Sequence, residues 1–144
     1  MANWEEPGSA LAWLRQWEQL IRARDFEAAE AMFRADAFGF GTVTDTTRSR
    51  AELVERQWRV VWPRTRDFSF VWEDVHVQVS REGSMAMIFA PWRSVGAPVL
   101  RERRGRCTIG LVRDDARAPW LCVHTHFSMW PQSGDASLLD RPDV

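Results

Sequence analysis

Two histidines and a serine at alternate positions are the residues whose types and spacing best suit chemistry. His124, His126 and Ser128 fall in a predicted strand over residues 120–130, where side chains two apart share one face. Imidazoles about 7 Å apart on one face can act as acid and base near neutral pH. The same spacing also suits histidines that line a pocket, or that hydrogen-bond neighbouring strands and hold the end of a sheet in place.

Asp74 is the carboxylate that we expect to orient a histidine base, because it lies close to the predicted sheet. A metal site is not predicted, since His76 belongs to a different strand from the histidine pair. Cys107 and Cys122 are also too far apart for a zinc site built on closely spaced cysteine pairs, and they are expected to be reduced. The sequence therefore predicts neither a metal nor a cofactor.

Four arginines occur together in a predicted strand over residues 99–113. Alternation places Arg104 and Arg106 on one face and Arg101 and Arg103 on the other. One interpretation is a solvated sheet edge, where charge discourages edge-to-edge pairing. The other is that Arg106, the deepest of the four, anchors a ligand carboxylate through a two-pronged hydrogen bond.

Eight of the nine tryptophans are spaced for inward packing on the predicted helices and strands. Each buries on the order of 200 Å² and brings an N–H that needs a partner, so most are expected in the core. Indoles at the mouth of a pocket would also suit a flat, apolar or aromatic ligand. The three that we assign to such a pocket are Trp17, Trp58 and Trp62.

Composition excludes several classes of function. The chain has 144 residues, is 45% hydrophobic and 27% charged, and carries a net charge of −1, which indicates one folded domain. This charge balance argues against nucleic-acid and anionic-membrane binding. All 19 basic residues are arginine and there is no tyrosine, which excludes a Schiff-base lysine and a tyrosine oxyanion donor. Without a signal-peptide pattern, the expected location is the cytoplasm.

The elements that must position these residues follow from periodicity and capping signals. Ser9, Asp25 and Ser49 are predicted helix caps, with Glu52 completing a capping box. A change of phase in the apolar pattern near residues 73–74 predicts a bend in the strand there. Helices are predicted over 9–23, 25–34 and 50–62, and strands over 37–43, 67–79, 85–92, 99–113 and 120–130, with a turn at 95–98. Helices at one end and an antiparallel meander at the other make an α+β fold, with a single domain over 1–130 and a flexible tail over 131–144.

This order of elements, ending in residues 120–128 (WLCVHTHFS), resembles the NTF2-like superfamily and, within it, the SnoaL-like group. The pattern is also similar to the association domain of calcium/calmodulin-dependent kinase, with supporting matches at residues 25–28, 40–42 and 105–108. The resemblance implies a cone, in which three N-terminal helices pack against a curved, mainly antiparallel sheet. It also implies an apolar pocket at the open end and a homodimer.

Three hypotheses on function follow from the residues and the resemblance together. The first is a pocket protein that binds a small apolar or aromatic metabolite. The second is a cofactor-independent isomerase, cyclase or dehydratase that uses His124 or His126 as base and Asp74 as its orienter. The third is a homo-oligomerisation module without a ligand. The ligand-binding residues expected for the first are Trp17, Trp58, Trp62, Arg93, Arg106, His124 and His126.

Overall fold

A computed structural model describes residues 8–131 and 136–140. Its helices are α1 (Ala10–Ala23), α2 (Phe26–Glu30) and α3, in which α-helical Arg50–Leu53 and Arg59–Val61 flank a π-helical turn at Val54–Trp58. Its strands are β1 (Phe33–Phe40), β2 (Thr65–Phe70), β3 (His76–Val79), β4 (Met85–Gly96), β5 (Glu102–Val112) and β6 (Leu121–Met129). Short 3-10 turns cover Trp62–Arg64, Trp72–Asp74 and Ala136–Asp140.

The predicted α+β class with three N-terminal helices is confirmed. Residues 1–7, 132–135 and 141–144, which include the N-terminus and most of the predicted tail, lie outside the described residues. Within the described ranges, no helix has both the length and the apolar character needed to cross a bilayer.

Local signals determine where the first and third helices begin. The Ser9 side chain accepts a hydrogen bond from the amide of Ala12 at 3.0 Å, as its N-cap position predicts. Ser49 does the same for the amide of Glu52 at 3.1 Å. The Glu52 carboxylate accepts from the amide of Arg48 rather than from that of Ser49, so the predicted capping box forms with a shift of one residue.

The segment after α2 differs from the sequence-based prediction. The helix expected over 25–34 ends at Glu30, and β1 begins at Phe33 rather than at residue 37 and ends at Phe40 rather than at 43. The cause is pairing with a distant strand. The amide of Cys122 donates to the carbonyl of Met32 at 2.9 Å, and Phe33 is the register partner of Cys122. This pairing fixes the backbone as a strand where local periodicity favoured a helix.

Six strands form one curved sheet in the order β1-β6-β5-β4-β2, and β3 also pairs with β4. All pairs are antiparallel except β1 with β6. The predicted bend near residues 73–74 is the 3-10 turn Trp72–Asp74, which separates β2 from β3. The turn expected at 95–98 comes later, because β4 stays paired with β5 through Val95 and the amide of Gly96 donates to the carbonyl of Arg101.

The two faces of the sheet have different surroundings. On β4 and β5 the buried residues alternate, and they pack against the helices on what we call the inner face. The opposite, outer face carries the exposed residues of the same strands, among them Phe89, Arg93 and Arg106. The core on the inner face includes the fully buried side chains of Leu14, Trp17, Phe33, Phe70, Ile88, Ile109, Leu111 and Cys122.

Candidate functional site

A cavity of about 280 Å³ opens between helices α1 and α3 and the inner face of the sheet. Each of these elements contributes side chains from its buried face to the lining of the cavity. The lining is predominantly apolar, as in binding sites for small organic molecules. Its aromatic members are Trp17, Phe40, Trp58, Trp62, Phe68, Trp92 and Phe127.

One wall of the pocket is a ladder of stacked rings. Trp58 and Trp62 lie one helical turn apart and stack with centroids 4.6 Å apart and an interplanar angle of 15°. Phe26 of α2 stacks on the far side of Trp62 at 5.2 Å, and the Arg59 guanidinium lies over Phe26 at 4.9 Å. This support fixes the two indoles against the cavity. Trp17, whose ring is 6.3 Å from that of Trp58, connects this ladder to Phe127 on the sheet side of the pocket.

An amide network closes a second side of the pocket. The Gln57 side chain, only 8% exposed, donates from Nε2 to the Thr42 hydroxyl at 3.2 Å and accepts from the Thr44 hydroxyl at 3.1 Å. Gly41 lets this amide approach, because a Cβ there would overlap the Gln57 side chain. The π-helical turn Val54–Trp58 brings the adjacent Gln57 and Trp58 both into the lining.

A cationic group occupies the third side. Arg103 is on the inner face of β5, directly opposite the buried Ser94 in the register with β4. Its Nη1 donates to the hydroxyl of Thr65 at 3.4 Å. Its guanidinium lies against Gly96, where a Cβ would come within 2.7 Å of Nη2 and 3.0 Å of both Cζ and Nε. Arg103, Ser94 and Thr65 line the cavity, and the exposed Arg64 lines it as well. Gly96 does not.

The predicted binding residues divide between the two faces of the sheet. Trp17, Trp58 and Trp62 line the pocket. Arg93 and Arg106 lie on the outer face and are exposed, so of the four arginines of the predicted strand it is Arg103, and not Arg106, that lines the pocket. The physical reason is the parity of β5. Its odd-numbered residues face the helices, whereas Arg106 points away and donates from Nε to the Ser128 hydroxyl at 3.3 Å.

The predicted histidine pair is on the outer face as well. His126 and Asp74 border an open groove of about 410 Å³ that also includes Arg106 and Ser128. His124 is tied to the adjacent strand instead, with Nδ1 2.8 Å from the carbonyl oxygen of Phe38. A carbonyl only accepts, so Nδ1 carries the hydrogen of this bond. The structure thus brings Asp74 and His126 to one groove, but away from the aromatic pocket.

The pocket lining contains no histidine, cysteine or carboxylate among the described residues. Cys107 and Cys122 are buried and unpaired in the core, and burial raises the pKa of both thiols. Over the same described ranges, no cluster of three His, Cys, Asp or Glu side chains has the proximity that a metal ion requires. What the pocket can do is hold an apolar body between indoles and present donors to a polar group.

Sequence reasoning missed Arg103, Ser94 and Gln57 as pocket residues. A signal for Arg103 was available, since Cys107, Ile109 and Leu111 are apolar at alternate positions and mark the odd-numbered face of β5 as buried. Gln57 had no such signal. It is a polar residue adjacent to Trp58, and adjacent side chains in a regular helix point about 100° apart rather than along one line of the helix surface.

A curved sheet that packs against three helices around an apolar pocket defines a class of α+β proteins that enclose a cavity. The family model of the SnoaL-like domain matches residues 10–132, and the chain belongs to this family. The predicted family resemblance is thereby confirmed. A comparison with the curated proteins finds no match to the chain.

Solved structures with the same fold come from several bacteria. An NTF2-like protein of unknown function from Pseudomonas putida has a TM-score of 0.70 at 18% identity, covering 86% of this chain and 85% of that one. A putative calcium/calmodulin-dependent protein kinase II association domain from Xanthomonas campestris reaches 0.71 at 16% identity (90% and 93%). A ketosteroid isomerase-like protein from Erwinia carotovora atroseptica also reaches 0.71 at 16% identity (88% and 98%). At these identities the likeness shows a shared fold.

Proposed function

We propose that this SnoaL-like protein binds a small apolar or aromatic metabolite in the pocket between α1, α3 and the inner face of the sheet. The observation that carries the proposal is a preformed cavity of about 280 Å³ walled by stacked indoles. Rigid aromatic walls favour flat molecules, since burial of a ring against Trp58 and Trp62 adds stacking to the hydrophobic transfer energy. The few polar groups at the rim would then orient the ligand.

A binding function fits the lining better than catalysis by a histidine base. General acid–base chemistry needs a titratable side chain within hydrogen-bond reach of the substrate. His126 and Asp74, two of the three residues predicted for that role, border the outer groove, and His124, the third, does not line the pocket either. An isomerase, cyclase or dehydratase of that design would have to hold its substrate on the outer face of the sheet, where the groove is more open to solvent than the pocket.

Thermal unfolding with and without flat aromatic compounds tests the binding function. A ligand at ten times its Kd stabilises the folded state by about 1.4 kcal/mol and should raise the Tm of a chain of this size by about 3–6 °C. Val61, which lines the pocket and is half-buried, offers a way to fill the cavity. The Val61→Trp variant is expected to fold and to lose the ligand-induced shift.

Val79→Trp is the matched control, because Val79 is exposed on β3 and lies outside the pocket lining. It should keep the full ligand response. Equal responses from both variants, or no response of the unmodified protein to any flat aromatic compound, would contradict the proposal.

We also propose that the protein self-associates through the outer face of the sheet. Phe89, Met85 and Trp130 are 39–47% exposed there, and the Arg104 guanidinium lies over the Trp130 ring. Exposed aromatic and arginine side chains on one face are typical of protein interfaces. The likeness to a structure described as an association domain supports the same proposal. Ligand binding on the inner face and assembly on the outer face are compatible, because they use opposite sides of one sheet.

A further inference from the structure

Arg103, one of the two arginines that line the pocket, has no counter-ion within the described part of the chain. Arg103 makes no ion pair there, and its one side-chain hydrogen bond to a described residue is the long bond from Nη1 to the Thr65 hydroxyl. Nε and Nη2, the two nitrogens of one guanidinium edge, donate to no described residue. That edge is the fork that binds a carboxylate through two parallel hydrogen bonds.

The surroundings hold this guanidinium in place rather than leave it to solvent. Gly96 leaves room for it, because an added Cβ would lie 2.7 Å from Nη2 and displace the end of the Arg103 side chain. Thr65 is itself anchored, since its hydroxyl donates to the carbonyl of Val61 at 2.7 Å. Ser94, 4% exposed and opposite Arg103 in the register, adds a hydroxyl that makes no hydrogen bond to any described residue. These donors form one polar end of a predominantly apolar cavity.

We propose that the pocket selects a planar aromatic carboxylate, with its carboxylate on Arg103 and its ring against the indole wall. This inference rests on the proposed binding function and narrows it to a ligand class. The lining has Arg103 and Arg64 as its charged residues and no acidic residue among those described, so its field favours an anion. Trp92 and Phe127 lie on the inner face between the polar end and Trp17, where a ring attached to the carboxylate would pack.

A matched pair of probes separates charge from shape. 2-Naphthoate and 2-naphthamide have the same ring system and nearly the same outline, but only the first carries a charge at pH 7. Binding is followed by titration calorimetry and by quenching of tryptophan fluorescence. We expect naphthoate to bind roughly tenfold or more tightly than naphthamide, because a charge-assisted two-pronged bond in a partly buried site exceeds a neutral one.

Three variants assign this preference to the guanidinium. Arg103→Gln should bring the two affinities together while naphthamide still binds. Gly96→Ala keeps the charge but displaces the guanidinium, and it should reduce the preference in part. Arg106→Gln is the control, because Arg106 lies on the same strand with its side chain on the outer face. It should leave both affinities unchanged.

The outcomes distinguish this inference from the function on which it rests. Equal affinity of the unmodified protein for naphthoate and naphthamide would overturn the carboxylate preference and leave the binding function intact. A preference that survives in both Arg103→Gln and Gly96→Ala would also overturn it. Failure of both probes to bind would overturn the carboxylate class and count against the binding function itself.

Discussion

Two arginines on one strand lie on opposite faces of the sheet. Arg103 and Arg106 are three positions apart on β5, yet the first lines the pocket and the second lies on the outer face. Alternation of side chains along a regularly paired stretch of strand separates odd-numbered from even-numbered positions in this way. The two arginines are consequently a natural pair for substitution, since they share a strand and a charge and differ in what they can touch.

The two cysteines make stability depend on pH in the alkaline range. Burial raises the pKa of Cys107 and Cys122, so the folded chain keeps protons that the unfolded chain releases above about pH 8.5. Stability is therefore complete below that pH and falls above it, by about 1.4 kcal/mol per thiol for each pH unit. Because lysine and tyrosine are absent, few other side chains titrate in this window. Urea unfolding at a series of pH values from neutral to alkaline measures the slope.

The control for the thiol prediction is the double variant Cys107→Ala, Cys122→Ala. It starts from a lower stability, since two buried side chains are truncated, but should lose the alkaline slope. An unchanged slope in the double variant would assign the effect to other groups. In the unmodified protein, a thiol reagent should label the cysteines only after unfolding.

At the scale of elements, a carboxylate joins the first helix to the edge of the sheet. Glu18 of α1 accepts hydrogen bonds from the amide of Phe70 at 2.8 Å and from the indole nitrogen of Trp72 at 3.0 Å. Glu18→Ala should lower the free energy of unfolding by about 1–3 kcal/mol, because it leaves the Phe70 amide without this acceptor. Chemical denaturation followed by circular dichroism measures the change.

Glu55→Ala is the comparison for that prediction, since Glu55 forms an exposed pair with Arg59 one turn away on α3. A pair of this kind contributes about 0.3–0.5 kcal/mol. Equal effects of the two substitutions would show that Glu18 acts as an ordinary surface charge and not as a link between α1 and β2.

At the scale of the whole molecule, the exposed aromatic and arginine side chains of the outer face predict that the protein associates in a concentration-dependent way. Phe89→Glu places a charge in the middle of the proposed interface and should convert the protein to a monomer, as measured by sedimentation velocity over a range of concentrations. Val99→Glu is the control, because Val99 is 73% exposed in the connection between β4 and β5 and outside the sheet. A monomeric unmodified protein, or equal association of both variants, would refute the assembly proposal.

Much of the fold was accessible from local pattern. Caps at Ser9, Asp25 and Ser49 start the helices as predicted, because each satisfies free amides a few residues away in the chain. The start of β1 was not accessible, since it depends on pairing with Cys122 on a strand almost ninety positions further along. Among the pocket residues, the sequence identified the indoles on the helices but not Arg103. The periodicity of a helix indicates one buried face, whereas in a strand either of two faces can be the one that lines the pocket.

The sequence by itself determined the α+β class, the family and the aromatic character of the pocket, because these follow from periodicity, capping and residue type. Only the tertiary structure decided which polar groups meet there. Arg103 reaches Thr65, 38 positions away, across the space that Gly96 leaves. The register between strands creates that meeting, and register is set by the packing of the whole sheet against the helices rather than by any one segment.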